Sequence, residues 1–340
     1  MQSRLLFMPS HRKCRNRSSG LTVIDLVISL SLAGILLSLL IPAILRSIER
    51  SRQITCRSNL RQVGMAAQQH VSTRRSFPLT STAWSEGGEI HRALSPHQSL
   101  MAFIDRNMFD QIDPTDPFQP AWENSPVSFV SASNRSLANV SPGIFRCPSD
   151  SVPPGGSSYR ANLGISVQIL PPSVSVESNS QRGAFVNGRA VSAAEFGDGL
   201  SNTVLFSERV AGDFTPARYD AFRDSFEVPG AAGFTTETMN DACRQSASWD
   251  SRKEFSFSGG TWLLGGYCHT WYNHVRPPNS RDPDCAIGSG FVDGGPSIIT
   301  ARSFHGSGVN VTMADGSSNL VAETIAVNIW RAMGTRNGTD

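Results

Sequence analysis

The stretch Leu26–Leu45, LVISLSLAGILLSLLIPAIL, decides the fold of this chain because it runs through one full helix length without a charge. At about 1.5 Å per residue this helix is about 30 Å long, which matches the hydrocarbon core of a bilayer. A helix in a protein core is normally amphipathic rather than apolar on every side. A cleaved secretory signal has an apolar region of about 7–15 residues and then a polar cleavage site. Here the run continues through Pro42 into a basic segment, so the sequence predicts a membrane-spanning helix.

The positive-inside rule compares the Lys and Arg residues on the two sides of a membrane helix, and here it gives a tie. Five basic residues precede the first acid, Asp25, and five follow the apolar run, where Glu49 is the only acid among them. They are Arg4, Arg12, Lys13, Arg15 and Arg17 before the run, and Arg46, Arg50, Arg52, Arg57 and Arg61 after it. Charge alone therefore leaves the orientation open.

The residues that lead into the run are Ser19-Gly20-Leu21-Thr22-Val23-Ile24-Asp25-Leu26. This segment resembles the type IV prepilin signature, Gly-Phe-Thr-Leu-x-Glu ahead of an apolar helix, with Leu21 in place of Phe and Asp25 in place of Glu. The resemblance implies that a prepilin peptidase cuts after Gly20 on the cytoplasmic face and methylates Leu21. Pro42 lies where many pilins have a helix-bending proline. The resemblance also implies a single-pass protein of a bacterial inner membrane, with its C-terminal domain in the periplasm or outside the cell.

Asp25 has two interpretations. A carboxylate that enters lipid is costly unless it is paired, so it implies a partner. The pilin resemblance implies that this partner is the free N-terminal amine of a neighbouring subunit, which makes other pilin-like subunits binding partners. The alternative is a carboxylate that snorkels to the interface, with the lipid bilayer as its only partner.

The helix is predicted to continue beyond the membrane. Cys56, Leu60, Val63 and Ala67 fall on one face of a helix. The pattern fades near residue 70, and Pro78 prevents much continuation. We therefore expect a leader at 1–20, a helix at 21–70 that spans the membrane at about 24–45, and an exported β-rich domain at 71–340.

The remaining sequence predicts short strands and many loops, and its 29 Gly and 20 Pro suit that pattern. The clearest element is a hairpin, in which Asp315-Gly316 forms a turn between strands at 309–313 and 318–321. The fold class is therefore α+β, with the long helix packed on an antiparallel sheet. Further expectations are a strand at 203–209, a helix at 324–333, surface loops at 113–120, 148–158 and 171–183, and core or half-buried aromatic residues at Trp84, Phe103, Phe109 and Trp122.

Several segments, taken in order, resemble a pilin-like bacterial domain of unknown function that is abundant in planctomycetes. Its hallmark is a His-x9-Asp-Gly motif, which corresponds here to His305, Asp315 and Gly316. The other matching segments are Cys56–Gln62, Phe77-Pro78, Phe145–Asp150, Asp198–Glu208, Gly260–Trp262 and Pro277–Asn279 ahead of Cys285. The resemblance implies a pseudopilin-type architecture and supplies no ligand or reaction.

The same resemblance bears on the cysteines. Cys14 leaves with the leader, and five cysteines remain, which cannot all pair within one chain. Cys56, Cys147, Cys243 and Cys285 match the family, which implies disulfides Cys56–Cys147 and Cys243–Cys285 and leaves Cys268 over.

The motif residues His305, Asp315 and Asp198 invite a chemical role. We expect them to be structural: Asp315 and Asp198 open turns, and His305 lies at the base of the hairpin. Calcium held by Asp198 and Asp315 is a second interpretation, because a hard cation prefers oxygen ligands. We predict no zinc site at Cys268-His269, His274 and Cys285, where the spacing is wrong, and no other cofactor.

A net charge of +2 gives no electrostatic case for a nucleic-acid partner. The leading hypothesis is a non-enzymatic pseudopilin subunit of a type II secretion or type IV pilus-like assembly. The alternative is a monomeric, membrane-tethered module that binds a saccharide, peptide or ion, and a tethered hydrolase is the third hypothesis.

Overall fold

The computed structural model describes residues 22–81, 84–86, 89–91, 93–113, 133–168, 182–215, 220–229, 235–246, 253–287 and 295–338. The leader at 1–20 with Cys14, the processing residues Gly20 and Leu21, Trp122 and most of the predicted loops at 113–120 and 171–183 lie outside these residues, as does the side chain of Trp84. The chain divides into two compact units, one up to Ile48 and one from Glu49 onward.

Helix α1 runs from Val23 to Arg74. It is long and apolar enough to cross a membrane, and none of its most apolar stretch is buried. Pro42 lies inside the helix, where its missing N–H removes one backbone hydrogen bond. The bend at Pro42 stays a prediction.

The second half of α1 confirms the predicted apolar face. Cys56, Leu60, Val63 and Ala67 are completely buried. The helix ends four residues later than the expected residue 70, where Arg75 adopts a left-handed φ of 64°.

Helix α1 packs on a five-stranded sheet. In spatial order its strands are β11 (Ser318–Ala322), β10 (Gly308–Met313), β4 (Val204–Glu208), β3 (Tyr159–Asn162) and β7 (Trp271–Tyr272). The Thr312 hydroxyl donates a 2.7 Å hydrogen bond to the carbonyl of Leu60, and buried Gly64 allows the helix to approach this strand closely. The α+β class is confirmed. The sheet is antiparallel as expected except at one edge, where β7 pairs with β3 in parallel, with Ala161 opposite Trp271.

The hairpin is confirmed: β10 and β11 pair antiparallel, with Val309 opposite Val321 and Val311 opposite Asn319. Gly316 has a φ of 86°, as the turn requires. The predicted strand at 203–209 is β4, and the last helix begins at Val327 rather than 324 and ends at Gly334.

A second sheet of four strands was not predicted. In spatial order its strands are β6 (Lys253–Phe255), β5 (Ser225–Val228), β8 (Asp284–Ile287) and β9 (Ser297–Ile298). Phe226, Val228 and Cys285 from this sheet form a small core with Met239 and Cys243 of helix α5, which spans Thr236–Ser246. Most of the other buried apolar residues belong to one larger core, and Phe103 and Phe109 lie at its edge, half-buried as predicted.

The elements with their bounds are as follows. The strands are β1 Trp84–Glu86, β2 Glu89–His91, β3 Tyr159–Asn162, β4 Val204–Glu208, β5 Ser225–Val228, β6 Lys253–Phe255, β7 Trp271–Tyr272, β8 Asp284–Ile287, β9 Ser297–Ile298, β10 Gly308–Met313 and β11 Ser318–Ala322. The helices after α1 are α2 Pro96–Ile104, α3 Arg106–Phe109, α4 Arg135–Ala138, α5 Thr236–Ser246 and α6 Val327–Gly334, with 3-10 turns at Gly143–Phe145 and Ala193–Glu195.

The loop at 148–158 corrects another expectation. It is irregular, as predicted, but much of it is buried rather than on the surface, including Asp150 and Ser157. The reason is a polar network: the Asp150 carboxylate accepts hydrogen bonds from the Ala211 amide and the Ser158 hydroxyl. Burial of this loop is possible because those polar groups have partners.

Candidate functional site

The N-terminal end of α1 has a complete capping box. The Asp25 amide donates to the Thr22 hydroxyl oxygen at 3.2 Å, and Oδ2 of Asp25 accepts from the Thr22 amide at 3.1 Å. The Thr22 hydroxyl also donates to Oδ2 at 2.7 Å. Asp25 therefore has a local structural partner, which neither interpretation from the sequence included.

The family-motif histidine, His305, lies at the centre of a buried cluster. Its Nδ1 is 2.6 Å from Oε1 of Glu49 on α1, and its Nε2 is 3.3 Å from Oε1 of Glu208 on β4. The same Nε2 is 3.3 Å from Sγ of Cys147. The ring thus connects the helix to the sheet from a position three residues before β10, where the hairpin begins.

The two carboxylates of this cluster have further partners of their own. Glu208 accepts hydrogen bonds from the backbone amide of Asn310 at 2.7 Å and from its side-chain amide at 3.2 Å. Glu49 accepts a hydrogen bond from the Ser149 hydroxyl at 2.9 Å. These contacts fix the orientation of both carboxylates toward the ring.

The electrostatics of His305 follow from this arrangement. Burial alone would lower the pKa of His305, but the hydrogen bonds and negative charges of Glu208 and Glu49 outweigh it and raise the pKa. The charged ring is therefore favoured here, as an ion-pair partner that holds α1 against the sheet.

Both disulfides that the sequence implied are present. Cys56 on α1 is joined to Cys147, directly beside His305, and Cys243 on α5 is joined to Cys285 on β8. Cys268 is in neither disulfide. The first bridge connects residues 91 positions apart and ties α1 to the domain a second time.

The other motif residues are not brought together with His305. Asp315 lies at the opposite end of β10, where Oδ1 accepts from the Ser317 amide at 2.8 Å within the hairpin turn. Asp198 accepts from the Gly338 amide at 2.7 Å. Both thus have roles in turns and chain ends, and a calcium ion at these two residues stays a prediction.

Asp150 is buried and contacts the Arg223 guanidinium at 3.2 Å. Burial raises the pKa of Asp150, and the contacts with Ala211 and Arg223 only partly offset that effect. Its role is to organise the loop rather than to expose a carboxylate.

Sequence reasoning missed Glu49 and Glu208 as members of the cluster. Glu49 lies seven residues before Cys56, which is two helical turns along the same face, and this spacing is the signal that could have identified it. Glu208 ends a matching segment, but its partner Asn310 comes from a strand that is distant in the sequence.

These observations define a class of protein. It has an α+β domain that follows a helix long enough to cross a membrane. Residues 49–328 match the model of the family described as "Protein of unknown function (DUF1559)", and the chain belongs to this family. The match begins at Glu49, so the apolar part of α1 lies outside it. Neither the curated proteins nor the solved structures contain a match to the chain.

Proposed function

We propose that this chain is a membrane-anchored, pilin-like structural subunit of a type II secretion or type IV pilus-like assembly. The observation that carries the proposal is the first half of α1, where large apolar side chains such as Val23, Leu30 and Leu39 are 63–77% exposed. Burying one such side chain fully is worth about 1.5–3 kcal/mol. The segment therefore requires lipid or neighbouring helices as its cover.

Asp25 supports the assembly role in particular. Both hydrogen bonds that its carboxylate accepts from Thr22 use Oδ2, and within the described part of the chain Oδ1 accepts none. A positive charge from a neighbouring subunit can therefore pair with Asp25 without breaking the capping box. Lipid-facing helices gain little from apolar contacts with one another, so such a polar pair would set their register.

Cross-linking of the full chain in its membrane tests this proposal. We expect wild type to give a ladder of multimers and Asp25→Ala to lose it, with membrane insertion retained. Thr22→Val is the matched control, because it removes the cap hydroxyl and keeps the carboxylate, and it should retain the ladder. A wild type without multimers, or an Asp25→Ala ladder equal to that of wild type, contradicts the proposal.

A membrane-tethered binding module is the second candidate, and one groove favours it. The groove has a volume of about 460 Å³, and its lining includes His70, Arg74, Phe103, Arg106 and Phe109. The Arg106 guanidinium lies 5.1 Å from the centre of the Phe109 ring. Aromatic faces beside guanidinium groups suit an anionic saccharide or a peptide carboxylate. Saturable binding of such a ligand by a chain that never multimerises would favour this candidate.

A further inference from the structure

We propose that Cys56, Cys147, His305 and Glu208 form a structural zinc site when the Cys56–Cys147 disulfide is reduced. The proposal is independent of the assembly role, because it concerns the domain that follows the membrane helix. The four side chains offer two sulfurs, one nitrogen and one oxygen, all within 4.8 Å of one another. Each comes from a different part of the chain, namely α1, the loop after residue 145, β4 and the segment before β10.

The distances fit a tetrahedral ion. Zinc binds sulfur at about 2.3 Å and imidazole nitrogen at about 2.0–2.1 Å, so neighbouring ligand atoms are about 3.3–3.8 Å apart. Nε2 of His305 is 3.3 Å from both Sγ of Cys147 and Oε1 of Glu208. The two sulfurs need only to separate once the bond between them is broken.

The residues around the four ligands also resemble the surroundings of known structural metal sites. A zinc-bound histidine almost always donates its other ring N–H to a carboxylate, and here Nδ1 faces Glu49 at 2.6 Å. The ligand carboxylate of Glu208 is held in turn by the amide groups of Asn310. All four ligands are at most 5% exposed, which is typical of a closed structural site rather than a catalytic one.

A dithiol reductant can convert the Cys56–Cys147 disulfide into the two thiols that the zinc site needs. The disulfide takes up two electrons and two protons from the dithiol, which becomes a cyclic disulfide. Zinc then displaces three protons to solvent, the two thiol protons and the Nε2 proton of the charged His305 ring. Nδ1 keeps its proton, and Nε2 offers its lone pair. Each sulfur serves either the disulfide or the metal, so the two states exclude one another.

The second disulfide supplies a control, because no comparable group of His, Cys, Asp or Glu ligands surrounds Cys243 and Cys285 among the described residues. The full chain in detergent, carrying Cys243→Ser and Cys285→Ser, is reduced without oxygen and titrated with Co²⁺. We expect one Co²⁺ per chain, with the sulfur charge-transfer and tetrahedral d–d bands of a mixed-ligand site, and displacement by Zn²⁺. Oxidised chain should give neither band.

Two variants test the assignment of ligands. His305→Ala should abolish the tetrahedral spectrum, and Glu49→Gln, which keeps every ligand and alters only the outer partner, should weaken Co²⁺ binding about 10–100-fold. Circular dichroism checks folding, and if His305→Ala unfolds, Glu49→Gln decides the question. A reduced, folded chain without the tetrahedral spectrum would overturn the proposal, as would folded variants that bind Co²⁺ as tightly as the parent.

Discussion

Nδ1 of His305 lies 2.6 Å from Oε1 of Glu49, so the motif histidine is tied directly to the helix that leads to the membrane segment. In the oxidised protein this contact acts with the neighbouring disulfide to hold α1 on the sheet. Packing and ion pairing therefore account for the position of the motif histidine.

We predict that His305→Ala lowers the free energy of unfolding by about 1–3 kcal/mol, because buried Glu208 loses a hydrogen-bond partner. Denaturant unfolding of the oxidised chain in detergent measures the change. Glu49→Gln keeps an oxygen for the ring N–H and is expected to have a smaller effect. Unchanged stability in His305→Ala, or a hydrolytic activity lost in a folded His305→Ala chain, would contradict this structural role.

The close contact between α1 and β10 gives a second prediction. A β-carbon at Gly64 would lie 2.4 Å from Cγ2 of Thr312, so Gly64→Ala should cost about 1–3 kcal/mol of stability through overpacking. Gly143→Ala is the control, since nothing lies within 4 Å of its added β-carbon. Equal unfolding midpoints for these two variants would show that the helix does not approach the strand this closely.

Three buried histidines should make the free energy of unfolding depend on pH. Burial lowers the pKa of His97, His269 and His274 to about 3, so below about pH 6.5 the unfolded chain binds protons that the folded chain does not. Stability from these residues is therefore lost as the pH falls from 6.5 toward 3.

His97→Gln isolates one of these contributions. Between about pH 5.5 and 4.5, wild type should lose about 1.4 kcal/mol per pH unit more than the variant, because only wild type has this proton to take up on unfolding. Unfolding free energies of both chains at a series of pH values give the difference. Parallel pH profiles would be inconsistent with a neutral, buried His97.

Asp284 is a buried anion that holds several cations. It contacts the guanidinium groups of Arg209 and Arg302 at 3.0 Å each. Burial alone would raise the pKa of Asp284, but Arg302, Arg209 and Arg276 lower it.

We predict that Asp284→Asn destabilises the chain by about 3–5 kcal/mol, since it leaves buried guanidinium charges without their anion. Asp110→Asn removes the exposed pair with Arg106 and should cost less than about 1 kcal/mol. Chemical denaturation compares the two variants. Similar small losses would mean that the Asp284 pair is not buried as described.

The features of the fold that could be predicted from the sequence are those set by patterns among neighbouring residues. The spacing of Cys56, Leu60, Val63 and Ala67 predicted the buried face of α1, because helical periodicity is visible in any short window. The hairpin around Asp315-Gly316 was likewise predicted, because its turn chemistry is confined to neighbouring residues.

The remainder depends on contacts between distant segments. Strand β5 pairs in parallel with β8, so that Phe226 lies opposite Cys285, and such a short pair has no local signature. The cluster around His305 depends in the same way on Glu49 and Glu208, which only the folded chain brings together. The motif residues could be recognised in the sequence, and helical spacing could point to Glu49, but nothing local marks Glu208 as a partner.

The most direct test of the central claim, a prepilin-type membrane anchor, is mass spectrometry of the N-terminus of the protein isolated from its membrane. Cleavage after Gly20 should give a chain that begins with N-methylated Leu21 and keeps Asp25 as its fifth residue. A retained Met1, or a cut near Ala33 or after Pro42, would contradict the claim, because the apolar helix would then be an unprocessed anchor or a removed secretory signal.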